Sequence, residues 1–168
     1  MIKVIEIGNL LESIEKYKIT GLQNAANGIG VMGLGIAGAI RQYGGKEIQD
    51  HAFQVCNEYD PQPGYSYATI PGKLESKGII SIIHAVVMKQ PGGYTNYDIV
   101  EKAFKSALNL AIDLQITLLG CTALGTGVGR LDSEKVAEIM FEVAIACTEI
   151  DIAFIDINEK FINKLKEF

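Results

Sequence analysis

The sequence predicts a three-layer α/β/α sandwich with a mixed, largely parallel central sheet. Three observations lead to this fold class. Apolar strand-like segments alternate with amphipathic helical segments, no linker or repeat interrupts the chain, and 48% of the residues are apolar. The length of 168 residues fits a single domain, residues 1–168, with one well-buried core. This apolar content also argues against disorder.

Each element follows from its local pattern. Strands are predicted at residues 2–7, 19–24, 65–70, 78–87, 116–121 and 152–157, where short apolar runs are bounded by turn residues. Helices are predicted at residues 35–43, 46–57, 97–113 and 159–168, with another that starts near Ser133 and carries an apolar stripe to Cys147. Residues 10–16 are predicted to form a short helix or turn. The helix at 97–113 has the clearest pattern, since apolar residues recur at i, i+3, i+4 and i+7. Ser133 is predicted to cap its helix.

Charge and composition exclude several function classes. The net charge is −5 and no basic block is present, which disfavours binding to bulk nucleic acid. No apolar run is long enough to span a bilayer, and the chain starts directly as a strand, so we expect neither membrane insertion nor a signal peptide. Three cysteines without CxxC spacing predict reduced thiols in a cytoplasmic protein. We expect no metal site and no cofactor.

Two glycine-rich segments are the most informative feature for function. The first loop comprises Gly33, Leu34, Gly35, Ile36 and Ala37, and the second loop comprises Gly125, Thr126, Gly127, Val128 and Gly129. Each follows an apolar strand and precedes a predicted helix. Glycine lets backbone N–H groups approach a ligand closely, and a helix N-terminus adds unpaired N–H groups and a positive dipole end. Two such loops in one small domain predict a clamp around a diphosphate.

A dinucleotide-binding interpretation of the first loop is weaker. The run from Gly33 to Gly38 matches G-x-G-x-x-G, but eight residues separate Asn24, at the end of the preceding strand, from Gly33. The fingerprint also requires an acidic residue after the next strand, whereas Glu58 follows a helix. Gly38 is explained by close packing of a helix on a strand.

Polar residues near the strand ends are candidates for ligand contact. Asn24 fits loop capping and ligand contact equally well, and for Asn27 ligand contact is favoured. Asn9 follows the first strand, where it could cap a short helix or address a nucleobase. His84 lies in an apolar strand and is interpreted as a hydrogen-bonded core residue.

Together these motifs resemble the macro domain family, whose members bind ADP-ribose. The resemblance covers almost the whole chain. It is carried by Gly8-Asn9, by Asn24-Ala25-Ala26-Asn27, by the first loop, by Ala68-Thr69-Ile70-Pro71-Gly72 with Ile83-His84-Ala85-Val86, and by the segment from Ala123 to Gly129. It implies ADP-ribose or an ADP-ribosylated substrate as the partner.

The resemblance also implies roles for individual residues. Backbone N–H groups of the two loops would hold the diphosphate, Asn27 would bind the distal ribose, and Asn9 would accept from the adenine amine. Ile155 would lie against adenine, where many members have an aromatic residue. Gly129 replaces an aromatic residue found in many members, which predicts a more open pocket there. The implied ligand-binding set is therefore Asn9, Asn24, Asn27, the first loop, the second loop and Ile155.

Catalytic activity is less clearly implied. Members that hydrolyse ADP-ribosyl esters often have an aspartate where Ala37 stands. A glycohydrolase subclass uses a lysine after the central strand and an aspartate in the second loop; Lys89 lies near the first position and Gly129 occupies the second. Asn27 remains as a residue that could position water. The expected function is ADP-ribose binding with at most weak hydrolase activity. The alternatives are an ADP-ribosyl hydrolase, including ADP-ribose 1″-phosphate phosphatase, and a binder of another nucleotide-like metabolite.

Overall fold

The computed structural model describes all 168 residues. The strands are β1 (Ile2–Ile7), β2 (Gly21–Asn27), β3 (Ser66–Thr69), β4 (Ser81–Met88), β5 (Leu118–Cys121) and β6 (Asp151–Asp156). The helices are α1 (Ile14–Tyr17), α2 (Gly35–Gly44), α3 (Lys46–Tyr59), α4 (Tyr97–Asp113), α5 (Ser133–Ala146) and α6 (Glu159–Lys166). Two 3₁₀ turns, Leu11–Ser13 and Gly72–Lys77, complete the fold. None of the helices is long and apolar enough to cross a membrane.

The six strands form one sheet in the order β1-β6-β5-β2-β4-β3. All neighbouring strands are parallel except β3, which pairs antiparallel with β4. The predicted mixed, largely parallel sheet is thereby confirmed. The carboxyl ends of the five parallel strands meet at one edge of the sheet, where open α/β sheets bind their ligands.

Helices cover both faces of the sheet, which gives the predicted three layers. Helices α4, α5 and α6 pack on one face and enclose a core that includes Phe104, Met140 and Phe161. Helices α2 and α3 cover the other face, with a second core that includes Ile40 and Ile48. Strand β4 is buried along its whole length and faces both cores, as expected for a parallel strand covered on both sides.

Some local details differ from the sequence predictions. The residue that caps α5 is Asp132, whose side chain accepts from the N–H of Glu134, rather than Ser133. Residues 72–77, which lie between two predicted strands, form a 3₁₀ helix that buries Leu74. Strand β2 continues to Asn27, because Ala25 and Ala26 keep pairing with β4.

Candidate functional site

A cavity of about 850 Å³ opens at the carboxyl edge of the sheet. All five parallel strands reach it, and it is also lined by both glycine-rich loops. Its size falls within the usual range for small-molecule sites. The residues that the strand ends contribute are Gly8, Ala25, Ala26, Asn27, Val87, Met88, Thr122, Ala123, Ile155 and Asp156.

The first loop leads directly into α2, and this helix start has no side-chain cap. The earliest main-chain hydrogen bond runs from the N–H of Gly38 to the carbonyl of Leu34, so the N–H groups of residues 35–37 have no acceptor in the protein. Gly35 adopts φ +59°. A Cβ added at Gly33 or Gly35 would meet no atom within 4 Å. The loop therefore directs unpaired donors and a helix dipole at open space.

The second loop is closed by its own backbone. The N–H of Leu131 donates to the carbonyl of Gly125, and the N–H of Arg130 donates to the carbonyl of Gly127. The N–H groups of residues 126–128 have no acceptor in the protein. A Cβ at Gly127 would again meet nothing within 4 Å. Helix α5 begins only at Ser133, so no helix start coincides with this loop.

Asn27 lines the cavity, but its side chain is engaged by the backbone that follows it. Its Oδ1 accepts from the N–H groups of Ile29 (3.2 Å), Gly30 (2.9 Å) and Val31 (3.2 Å), and its Nδ2 donates to the carbonyl of Val31 (2.9 Å). One hydrogen of Nδ2 remains without a protein acceptor. Loop capping, the less favoured interpretation from sequence, is therefore the role seen for most of its hydrogen-bonding capacity.

Asn24 does not line the cavity, which corrects its prediction as a ligand-binding residue. Its side chain is buried and its Nδ2 lies 3.0 Å from Nδ1 of His84. The other ring nitrogen, Nε2, lies 2.8 Å from Oγ1 of Thr69, and Tyr67 stacks on the ring at 4.5 Å. His84 is thus the hydrogen-bonded core residue that the sequence predicts. Complete burial lowers its pKa to about 3.

Asn9 lines the cavity beside β6 and is exposed. Its Oδ1 accepts from the N–H groups of Leu11 (2.9 Å) and Glu12 (3.3 Å). Asn9 therefore caps the turn through its oxygen, which is one of its two predicted roles, and it also lines the cavity. The oxygen that was expected to accept from a base is already engaged twice.

No lysine, arginine or histidine lines the cavity. Its only carboxylate is Asp156, whose two oxygens accept from the N–H groups of Ala123 (2.8 Å) and Asn158 (2.9 Å). Lys89, the candidate lysine after the central strand, does not line the cavity and forms an ion pair with Asp60. An anion in this cavity would be held by neutral donors.

Two further predictions, those for Ile155 and Gly129, concern the walls of the cavity. Ile155 lies on the cavity wall, whereas Phe154 faces the opposite core. Gly129 was expected to open the pocket, but a Cβ there would lie 2.5 Å from the carbonyl oxygen of Gly125 and 2.8 Å from Cγ2 of Thr95. The backbone of the second loop therefore requires glycine at this position, and its absent side chain leaves no free volume.

Two residues that shape the site were not predicted. Gln49 of α3 accepts from the N–H of Met32 (2.8 Å) and donates to the carbonyl of Gly30 (2.5 Å), which clamps the segment before the first loop. Its signal in the sequence is a polar residue on the buried face of α3, next to Ile48. Asp156 is the other, an acidic residue at the end of a buried strand.

Comparison with known proteins identifies relatives of this chain in sequence and in fold. The macro domain profile matches residues 23–140. An uncharacterized protein of Aquifex aeolicus is 34% identical over 155 residues, which cover 89% of each chain. Among solved structures, the macrodomain of Mycobacterium tuberculosis DarG superposes with a TM-score of 0.79 at 22% identity, over 93% of this chain and 97% of that one. A variant of the Oceanobacillus iheyensis macrodomain, solved with ADPR, gives a TM-score of 0.79 at 21% identity, over 99% and 89%.

Proposed function

Because this chain belongs to the macro domain family, known for ADP-ribose binding, we propose that it binds ADP-ribose or a close derivative through backbone N–H groups of its two glycine-rich loops. The Oceanobacillus iheyensis macrodomain, which shares the fold, has been solved with ADPR. We propose further that the first loop and the second loop of this chain hold the diphosphate between them.

The observation that carries this proposal is that three loop glycines face open space in one cavity. Gly33, Gly35 and Gly127 have no atom near the position of a Cβ, so packing within the protein does not require glycine at any of them, and only Gly35 has a positive φ that favours glycine. At Gly38, by contrast, packing does require glycine, because a Cβ there would lie 2.9 Å from the carbonyl oxygen of Gly33. Glycines beside free N–H groups and empty space are suited to close approach by an anion.

The positions of the two loops indicate where the rest of the ligand would lie. They follow β2 and β5, which lie near the middle of the sheet, so a diphosphate between them leaves room on both sides. Toward β6 the cavity has apolar walls that suit a nucleobase. Toward β4, the free Nδ2 hydrogen of Asn27 can donate to a ribose hydroxyl, and Met88 forms part of the wall.

Hydrolysis of the bound ligand is expected to be weak at most. The oxygen of Asn27 already accepts three N–H groups and is a poor base for water. Lys89 is paired with Asp60 outside the cavity, and Ala37 offers no carboxylate. The carboxylate of Asp156 lies at the β6 side, away from the proposed distal ribose, so no general acid or base stands at the scissile bond.

Isothermal titration calorimetry with ADP-ribose tests the proposal, with AMP and NAD as comparison ligands. We expect ADP-ribose to bind more tightly than AMP, because AMP lacks the second phosphate that the two loops are proposed to share. The absence of both heat and a thermal shift at millimolar ADP-ribose would refute the proposed function.

The substitution Gly127→Glu tests the pose itself. Gly127 has no positive φ and no neighbour in the way, so the variant should fold normally while its carboxylate repels the diphosphate. Binding should weaken by about a hundredfold or more. The matched control is Ala146→Glu, which adds the same charge at the exposed end of α5, remote from the cavity. Equal affinity of the two variants would contradict the pose.

A further inference from the structure

A second cavity, of about 500 Å³, lies at the β3 edge of the sheet, and we call it the edge groove. It is lined by α3, by the turn that follows α3, and by β3 with the residue before it. None of its residues lines the cavity between the glycine-rich loops, so an occupant here is independent of the proposed function. The lining residues are Val55, Tyr59, Asp60, Pro61, Gln62, Tyr65, Ser66, Tyr67 and Ala68.

The edge groove follows the outer side of β3, where main-chain groups are unpaired. Strand β3 ends the sheet and pairs with β4 alone. The N–H of Val86 in β4 donates to the carbonyl of Tyr65 (2.9 Å), and main-chain groups alternate in direction along an antiparallel strand. Those of Ser66 and Ala68 therefore point away from β4, and they form no hydrogen bond outside the sheet. An unpaired edge of this kind is a template for another extended chain.

The same edge is satisfied by the protein only at its other end. The N–H of Ile70 donates to Nδ1 of His51 in α3 (3.0 Å), whereas no side chain does this for Ser66 or Ala68. Apart from its short length, β3 has none of the features that usually block an edge, because its sequence Ser-Tyr-Ala-Thr contains no lysine or proline and its register with β4 has no bulge. The edge is therefore open to pairing beside the groove.

The walls of the edge groove suit an apolar or aromatic side chain. Tyr59 and Tyr65 both line it, and they are 70% and 66% exposed. Val55 and Pro61 add apolar surface. Aromatic residues in a pocket are the usual anchors of a protein–protein contact, because they bury a large area with little loss of conformational freedom.

The charges near the edge groove favour a basic segment. Asp60 is the one charged residue of the lining, and its carboxylate is paired with Lys89. Glu58, which precedes Tyr59, is exposed and forms no ion pair. The net charge of the chain is −5. A lysine or arginine beside the apolar anchor would complement this surface, whereas an acidic segment would be repelled.

We propose that the edge groove binds an extended segment of a partner protein, which adds to β3 as a further strand. The main-chain groups of Ser66 and Ala68 pair with the backbone of the segment, and an apolar or aromatic side chain lies against Tyr59 and Tyr65 with a basic residue nearby. Backbone pairing supplies affinity in this mode of recognition, and the pocket supplies specificity. The unpaired main-chain groups favour a peptide over a small apolar ligand, which could not pair with them.

Fluorescence anisotropy with the labelled heptapeptide Lys-Val-Thr-Phe-Thr-Val-Lys tests the backbone pairing on the full chain. Two control peptides are N-methylated at the even or at the odd residues, so that each loses the donors along one edge and keeps all side chains. We expect the parent peptide to bind, one control to bind about tenfold more weakly or worse, and the other to bind like the parent. Equal binding of all three peptides would overturn the proposal, as would no binding of the parent at millimolar concentration.

Variants of the protein locate the contact. Ala68→Pro removes an outward N–H that the sheet does not use, and Tyr59→Ala removes one wall of the groove. Each should weaken binding of the parent peptide about tenfold. Tyr94→Ala is the matched control, since Tyr94 is 77% exposed and lies outside the groove, and it should bind like the wild type.

The remaining outcomes also decide the proposal. If Ala68→Pro does not fold, the comparison of Tyr59→Ala with Tyr94→Ala decides alone, and equal affinities of these two variants overturn the proposal. Amide NMR signals of Ser66 and Ala68 that shift with protein concentration in the absence of peptide would assign the edge to a second copy of the chain and overturn it as well. None of these results depends on ADP-ribose, so the proposed function is tested separately.

Discussion

The two loops that flank the cavity contain similar residues but are built differently. The first loop gains its donors from the start of α2, a helix with no side-chain cap and no acidic residue in its first turn. The second loop is closed by its own hydrogen bonds, from Leu131 to Gly125 and from Arg130 to Gly127. Its flanking glycines are packed, since a Cβ at Gly125 would lie 2.9 Å from Cδ1 of Leu131.

The two loops would therefore hold an anion in two different ways. The first loop relies on an uncapped helix end, whose dipole and free N–H groups attract negative charge. The second loop relies on a preformed concave turn, in which glycine permits the close packing. Helices α4, α5 and α6 are capped by Asn96, Asp132 and Asn158, whereas α2, which begins at the cavity, has no side-chain cap, as is also the case for α1 and α3. Substitutions in the first loop should therefore mainly change ligand binding, whereas substitutions at the packed glycines of the second loop should lower the stability of the fold.

The largest effect should be a loss of folding stability at low pH, caused by the strands β2 and β4 that lead to the cavity. The first loop follows β2 in the chain, and Asn24 of β2 pairs with the neutral ring of His84 in β4. Burial lowers the pKa of His84 to about 3, whereas the unfolded chain protonates near the ordinary value of 6.5. Between pH 3 and 6.5 the unfolded state binds a proton that the folded state does not bind. The free energy of unfolding is therefore highest above pH 6.5 and decreases as the pH is lowered. We expect a loss of roughly 3 kcal/mol by pH ~4.5, from about 1.4 kcal/mol per pH unit.

Urea unfolding at a series of pH values measures this loss, and Glu6→Gln is the control. Hydrogen bonds from Tyr17 and Lys16 lower the pKa of Glu6, so its own contribution is lost only as pH falls below the ordinary glutamate value of 4.5. The control should therefore keep the slope between pH ~6.5 and ~5. A flat profile in that window would show that His84 is not held neutral by the fold.

The next largest effect distinguishes the packed glycine from the open one in the second loop. Gly129→Ala forces a Cβ against the carbonyl oxygen of Gly125, whereas Gly127→Ala places one in open space. We expect Gly129→Ala to lower the free energy of unfolding by about 2 kcal/mol and Gly127→Ala to change it by less than about 0.5 kcal/mol. Thermal and urea unfolding of both variants measure this. Equal losses would mean that the loop is not held by packing.

The sequence was sufficient wherever burial alone decides the structure. Helix α4 runs over the predicted residues 97–113, because its apolar stripe leaves one face to bury. His84 is a core residue for the same reason: the strand around it is apolar on both sides. The mixed, largely parallel sheet also follows from the alternation of strand-like and helical segments, whereas the order of the strands was not predicted.

The sequence was insufficient where a role depends on which atom of a side chain is already engaged. Asn24 and Asn27 stand three residues apart in one motif, yet one pairs with His84 and the other caps the loop. The oxygen of Asn9 is already engaged by the N–H groups of Leu11 and Glu12. Gly129 likewise depends on the carbonyl of Gly125, a contact formed only after the loop closes. Such assignments require the path of the backbone, which local patterns do not encode.

A smaller effect tests the uncapped start of α2. Leu34 occupies the cap position and is 81% exposed, so replacing it removes little packing. In Leu34→Asp the carboxylate can accept the free N–H groups of the first turn, which should stabilise the protein by about 1 kcal/mol. The same interaction competes with the diphosphate and should weaken ADP-ribose binding about tenfold. Leu34→Ala is the control for the lost side chain; a cap that stabilises the fold without weakening binding would remove the first loop from the proposed site.

The smallest effect should be that of salt on binding. The cavity has no cationic side chain, so neither loop offers an ion pair for salt to screen. Raising NaCl from about 0.05 M to about 0.5 M should change the Kd for ADP-ribose by less than about threefold. The net charge of −5 opposes an anionic ligand weakly, so any change should be toward tighter binding. Leu34→Lys adds a cation at the first loop and should introduce the salt dependence that the wild type lacks. Strong weakening by salt in the wild type would show that a lysine or arginine from outside the cavity reaches the diphosphate.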